Sequence, residues 1–213
     1  MRCEAWPLGA MMVVVAVARG AQGGEVRPVE LGATVGYALP AGSLESGSRM
    51  SDLTFGAPFG GLDAAYRVNR AWAIGASFAY GVTTPTLCAT FSDCTSSLGH
   101  DETLALLGRW HVGRWGRFAP AVEGQIGYEW FSASLSDNGA VSERSYGGIS
   151  AALAADALFA VTTRLAVGLR AELRGGVFHR ATLVAPGIDA SGPTEGPTLH
   201  LWPTLGARAT ATF

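Results

Sequence analysis

Hydrophobic and polar residues alternate along most of this chain, and the alternation falls into eight runs. In the first, Val29, Leu31, Ala33, Val35, Tyr37 and Leu39 share one face, and Glu30, Gly32, Thr34, Gly36 and Ala38 share the other. The same period continues over 61–68, 72–82, 103–112, 118–130, 149–159, 165–174 and 199–213. Successive side chains of a strand point to opposite faces, so this pattern predicts strands whose two faces meet different surroundings. The run at 149–159 is the least clean, because its alanines and leucines also suit a helix. The connections alternate in length. Long ones follow residue 41 into the fifties and occupy 83–100, 132–146 and 175–198, whereas short ones lie at 69–70, 113–117 and 162–163. Long loops at one end and tight turns at the other predict an all-β fold, an eight-stranded antiparallel up-and-down transmembrane β-barrel over residues 24–213.

Periodicity alone leaves open which face is inside, and an exported soluble barrel of lipocalin type would alternate too. Two features favour an apolar face turned to lipid. The polar face is built mainly of Gly, Ala, Ser and Thr with a few charges, whereas a solvated face carries many long charged side chains. The aromatic residues of the apolar face also fall at two levels. Tyr66, Trp72, Trp110, Phe118 and Phe159, with Phe213, belong to the short-turn end, and Tyr37, Tyr80, Tyr128 and Trp130 to the loop end. Such girdles mark the two interfaces of a bilayer. The eight residues from Trp72 to Tyr80 rise ~26 Å along a strand and ~20 Å along the normal once tilted, close to an apolar band ~25 Å tall.

Composition agrees with a membrane span written at period two. Charged residues make up only 15% of 213, and there is no lysine, so fifteen arginines stand against seventeen carboxylates. A net charge of −2 leaves no basic footprint for nucleic acid. Past residue 20 no apolar stretch is long enough for a spanning helix. Residues 1–23 have the anatomy of a signal peptide, with an apolar core over 6–18 and small residues at candidate cleavage sites between 20 and 23. After its removal only Cys88 and Cys94 remain, and their place in a polar loop of an exported chain predicts a disulfide. Two thiols with no His cluster beside them are too few for zinc. The glycines occupy strand interiors and turns, not a strand–helix junction, so no phosphate cradle and no cofactor is expected.

The last strand carries Leu205, Ala207, Ala209 and Ala211 on one face and closes on Phe213. It resembles the C-terminal assembly signal of bacterial outer-membrane barrels, with Ala211 standing where an aromatic is common. Together with length and strand count, the mature chain resembles the small eight-stranded outer-membrane proteins of OmpA-barrel, OmpX and OmpW type. That resemblance implies a lipid bilayer as surroundings and the barrel-assembly machinery as partner through Phe213. It also implies a structural, adhesion-like or narrow-channel role, and no functional motif transfers with it.

An eight-stranded barrel is just wide enough for its own side chains to fill. The inward positions hold the acids Glu30, Asp63, Glu123, Glu129, Asp156 and Glu172 and the bases Arg67, Arg109, Arg170, Arg174 and Arg208. A pore selecting one ion sign would favour one charge, so this near balance predicts a salt-bridged plug, with Glu123 and Arg170 in one network. A thin gated path for small solutes is the alternative. A lipid-modifying enzyme is the less favoured one, with His100, followed by Asp101, its best candidate base; no nucleophile is placed beside it by the sequence. His111 reads as a lumen or turn-end residue, and His179 and His200 flank the fourth long loop without a carboxylate to complete a metal site. Extracellular binding, with an unknown ligand, falls to the long loops. The first has apolar content in Met50, Leu53 and Phe55 beside Arg49, and the fourth is rich in turn formers such as Pro186, Gly187 and Pro193.

Overall fold

A computed structural model describes residues 29–45, 48–83, 94–96, 99–137, 140–194 and 198–213. The segment 1–28 and Cys88 lie outside these residues, so the signal peptide and the disulfide do as well. The elements run β1 (Val29–Ala38), β2 (Ala41–Glu45), β3 (Ser48–Arg49), a single helical turn α1 (Met50–Leu53), β4 (Ala57–Arg67), β5 (Trp72–Thr83) and β6 (Cys94–Ser96). Then follow β7 (Gly99–His111), β8 (Phe118–Asp137), β9 (Ala140–Ala160), β10 (Leu165–Ala185), β11 (Ile188–Pro193) and β12 (Leu199–Thr212).

Eight of these strands close a barrel. Each pairs antiparallel with the next in the order β1, β4, β5, β7, β8, β9, β10, β12, and β12 returns to β1. Glu30 faces Thr212 across the closing seam and Ala38 faces Thr204, so first and last strands meet over their whole shared length. Closure leaves no open barrel edge, and every strand finds its hydrogen bonds in a neighbour, which is what a bilayer core demands of a spanning sheet. Among the described residues no helix is long and apolar enough to cross a membrane; the strands do the crossing.

The side-chain polarity is inverted relative to a water-soluble barrel. Outward Leu106, Leu205 and Ile126 stand 67%, 65% and 61% exposed, while inward Glu30, Arg109 and Glu123 are each 1% exposed. That arrangement excludes the lipocalin type, because an apolar face of this extent facing water would be a large aggregation-prone patch.

One sequence expectation holds against its alternative, and one is corrected. The run 149–159 is strand throughout, as part of β9, because its inward positions Ser150, Ala154, Asp156 and Leu158 are buried at period two. Tertiary pairing on both sides overrides the helix propensity of Ala and Leu. The stretches 132–146 and 175–198 are also largely strand. β8, β9 and β10 are 20, 21 and 21 residues long, about twice the ~9–11 that cross a bilayer, so their loop-side halves stand beyond it. Outside lipid the outward positions need not be apolar, so the period that marks a membrane strand fades there although the strand continues.

Candidate functional site

Among the described residues, charged side chains are gathered and buried in the barrel interior. The register sets each of them. Arg109 of β7 faces Glu123 of β8, and Arg170 of β10 faces Asp156 of β9. Arg109 is the hub: its Nε donates to Glu123 Oε2 at 2.8 Å, Nη1 to Glu30 Oε2 at 2.9 Å, and Nη2 to Asp63 Oδ1 at 2.6 Å. Arg208 Nη2 donates to both oxygens of Asp63, at 2.8 and 2.7 Å, and its Nη1 reaches Thr34 Oγ1 at 3.3 Å. Arg170 Nη2 lies 2.5 Å from Glu123 Oε1, while its other nitrogens bind Asp156 and Glu172. Arg67 closes the turn end on Glu30 at 2.8 Å. Gly32 makes room for this lattice, since a Cβ there would collide with the Asp63 carboxylate and with Arg208.

A second cluster sits nearer the loops. Arg174 donates to Thr103 and Asp101, and its Nε lies 3.7 Å from Glu129. His200 Nε2 is 3.2 Å from Glu129 Oε2, and Trp202 Nε1 donates to Glu129 Oε1 at 2.9 Å. Asp101, His200 and His111, whose Nε2 is 3.2 Å from Glu30 Oε1, therefore join the eleven charged residues read from the sequence. The parity of each position carried the signal: Asp101 shares the face of Thr103 and Arg109, and His200 that of Trp202 and Arg208. The pairing of His100 with Asp101 fails for the same reason. They point to opposite sides of the wall, Asp101 into the lumen and His100 outward against Tyr80, with ring centroids 6.1 Å apart.

Above the charges the lumen turns apolar. Phe131, Tyr146, Phe178 and Trp202 point inward from four strands, and Met50 of α1 drops into the same cluster with Ala38, Ala57 and Ala133. Phe178 stacks on His200 at 4.0 Å and 11°, which joins the two tiers. This cap is absent from the sequence expectation, which placed Met50 in the first long loop. A gap of about 40 Å³ remains among Thr34, Asp63, Ser77, Gln125, Glu172 and Arg208, room for a few waters, and a smaller one lies under Ala38 and Gly81.

Outward, aromatic residues meet one another towards both ends of the barrel strands. Trp72 stacks on Trp110 at 6.4 Å and Phe118 meets Phe159 at 5.2 Å at the turn end, with Tyr66 nearby on β4. Tyr128 meets Trp130 at 4.6 Å at the loop end, where Tyr37 and Tyr80 also face outward. Phe213 is tied at the seam by reciprocal backbone bonds with Val29. Cys94 begins β6, which pairs with the loop end of β8. His100 Nδ1 lies 2.7 Å from Ser132 Oγ and its Nε2 lies 3.9 Å from Glu102. The same Oγ is 3.2 Å from Nε2, so it sits across the ring edge and not in line with one nitrogen, and Ser132 is buried. Among the described residues no group of three His, Cys, Asp or Glu side chains is arranged for a metal ion.

The closed meander, its apolar exterior and its charged lumen together define the architecture. The fold is that of a bacterial outer-membrane β-barrel. A major outer membrane protein of Thermus thermophilus is similar, with a TM-score of 0.62 and 12% identity over 89% of this chain and 100% of that one. Neisserial surface protein A is similar with a TM-score of 0.51 and 13% identity, over 90% of this chain and 100% of that one. The attachment invasion locus protein of Yersinia pestis, solved with the heparin analogue sucrose octasulfate, gives 0.51 and 14%, over 87% and 99%. No family model matches this chain, and no curated protein matches it by sequence.

Proposed function

We propose that this outer-membrane barrel is a non-enzymatic surface protein whose lumen is a closed, salt-bridged plug and whose binding role lies in the strand extensions at the loop end. The cross-linked lumen carries the reading. Arg109 spans carboxylates from three other strands, β1, β4 and β8, and the Met50 cap lies above them. An uncompensated buried charge costs several kcal/mol, so opening a path means breaking several paired charges at once. Function then falls to what stands in water: β8–β11, an antiparallel sheet extended beyond the bilayer. One fold relative is an attachment invasion locus protein, which accords with such a role.

The same reading includes export directed by residues 1–23, a Cys88–Cys94 disulfide in the β5–β7 connection, and recognition of the last strand and Phe213 by the assembly machinery. His100 and Ser132 form a structural hydrogen bond in this account, not a hydrolytic pair. The experiment is conductance in planar bilayers. Wild-type protein should give no large, steady unitary currents, and Met50→Ser should open at most brief, small ones. Large steady currents from the wild type would overturn the plug in favour of a channel.

A further inference from the structure

The turns at the short end carry a charge pattern that the plug does not use. Arg70 lies in the β4–β5 turn, Arg114 and Arg117 in the β7–β8 turn, and Arg164 in the β9–β10 turn, and all four are exposed. No carboxylate side chain stands with them among the described residues. Glu30, the second residue of β1, is buried in the lumen on Arg67 and Arg109. The acids with outward exposure, Glu102, Glu143 and Asp189, belong to the opposite end. Among the described residues the short-turn rim is thus uniformly basic, whereas the opposite rim carries both signs, with Arg144 and Arg180 exposed there beside the acids.

The turns hold these arginines in place. Asn69 Oδ1 accepts from the backbone of Ala71 and Trp72, and Thr162 Oγ1 accepts from that of Arg164 and Leu165, two local side-chain turns that set the chain direction. Gly116 takes φ +63° in the β7–β8 turn, and Arg114 Nε donates to its carbonyl. Backbone bonds then stitch turn to neighbour: His111 to Ala71, Ala160 to Arg117, and Thr212 to Arg164. The rim is continuous, with guanidinium groups distributed around it and the girdle residues Trp72, Trp110, Phe118 and Phe159 directly beside it. Trp115, 63% exposed and stacked on Phe118 at 5.9 Å, adds one more interfacial ring within the same turn as Arg114 and Arg117.

We propose that this arginine collar binds the headgroups of anionic phospholipids in the leaflet that meets the short turns. The depth argues for lipid over a soluble partner. Each arginine lies within a few residues of an interfacial aromatic, so a long side chain can lay its stem along the apolar belt and put its charge at phosphate level. Guanidinium matches phosphate geometry in paired hydrogen bonds, and basic groups close to an anionic surface are drawn to it. Short turns face the periplasm in outer-membrane barrels, so the inner leaflet is the one engaged.

The test uses the folded full barrel in vesicles of phosphatidylcholine with phosphatidylglycerol, and counts co-purifying lipids by native mass spectrometry. Wild type should retain phosphatidylglycerol several-fold above its share of the vesicle. The quadruple variant Arg70→Gln, Arg114→Gln, Arg117→Gln and Arg164→Gln should lose that enrichment, whereas the loop-end pair Arg144→Gln and Arg180→Gln should keep it. If the quadruple variant does not fold, Arg164→Gln alone and wild type in about 0.5 M salt should each lower the enrichment. No enrichment in wild type, or equal loss in the loop-end pair, overturns the proposal.

Discussion

The same strands build two regions of opposite polarity. Along β8, positions up to Trp130 put Ile126 and Trp130 outside and Glu123, Gln125 and Glu129 inside; from the next residue on, Phe131 and Ala133 point inward and Ser132 and Ser134 outward. β10 makes the same change between Arg174, inward among charges, and Phe178, inward among aromatics, with exposed Arg180 just beyond. Parity barely changes; the solvent does. Against lipid the apolar side must face out, and the polar groups left inside must pair with one another. Beyond the bilayer the exterior is wet, and burying apolar side chains in the lumen becomes favourable again. The barrel is held by ion pairs where it is surrounded by oil and by an aromatic core where it is surrounded by water.

The charged tier is most vulnerable at its hub. Arg109→Gln should leave Glu30, Asp63 and Glu123 without their shared counter-charge and destabilise the barrel by about 5 kcal/mol, the upper end for a broken buried pair. Denaturant unfolding in lipid vesicles, with the unboiled gel mobility as the folded marker, measures it; a loss below about 1 kcal/mol would mean that the network is dispensable. In the cap, Phe178→Ala should cost about 3 to 4 kcal/mol through the cavity left between His200, Phe131 and Tyr146. It should loosen the loop-end strands in hydrogen exchange before those at the turn end, and uniform loosening would argue against two separable tiers.

The outer face offers the smallest perturbation and the sharpest contrast. Leu106→Arg, on the outward face within the lipid-spanning part of β7, should cost about 2 to 4 kcal/mol. Glu143→Arg, outward on β9 but beyond the bilayer, should stay within about 0.5 kcal/mol. Equal costs for the two, by the same unfolding measurement, would put the polarity boundary elsewhere along these strands.

Much of the barrel was legible in the sequence because lipid enforces a period of two on every spanning strand. Strand number, inward face, the outward aromatics and the inward charges at Glu30, Asp63, Glu123, Arg109 and Arg208 all follow from parity. Partners were harder. Glu123 and Arg170 sit at similar depth by counting, but Arg109 meets Glu30 across a separation of 79 residues, and only the closing of the sheet brings them together. The cap was illegible for a second reason: Phe131, Tyr146 and Phe178 lie where the membrane period stops, and Met50 lies in a connection with no periodicity at all.

Which side of the wall each residue takes is therefore written locally in the chain, since alternation is a local property and the bilayer rewards it at every step. The tertiary structure decided who meets whom inside. Closure of β12 on β1 sets the lumen width, the register of eight strands sets the depth of each charge, and the fall of α1 into the mouth decides that the lumen is capped. Those are distances between residues far apart in the chain, which no local pattern encodes.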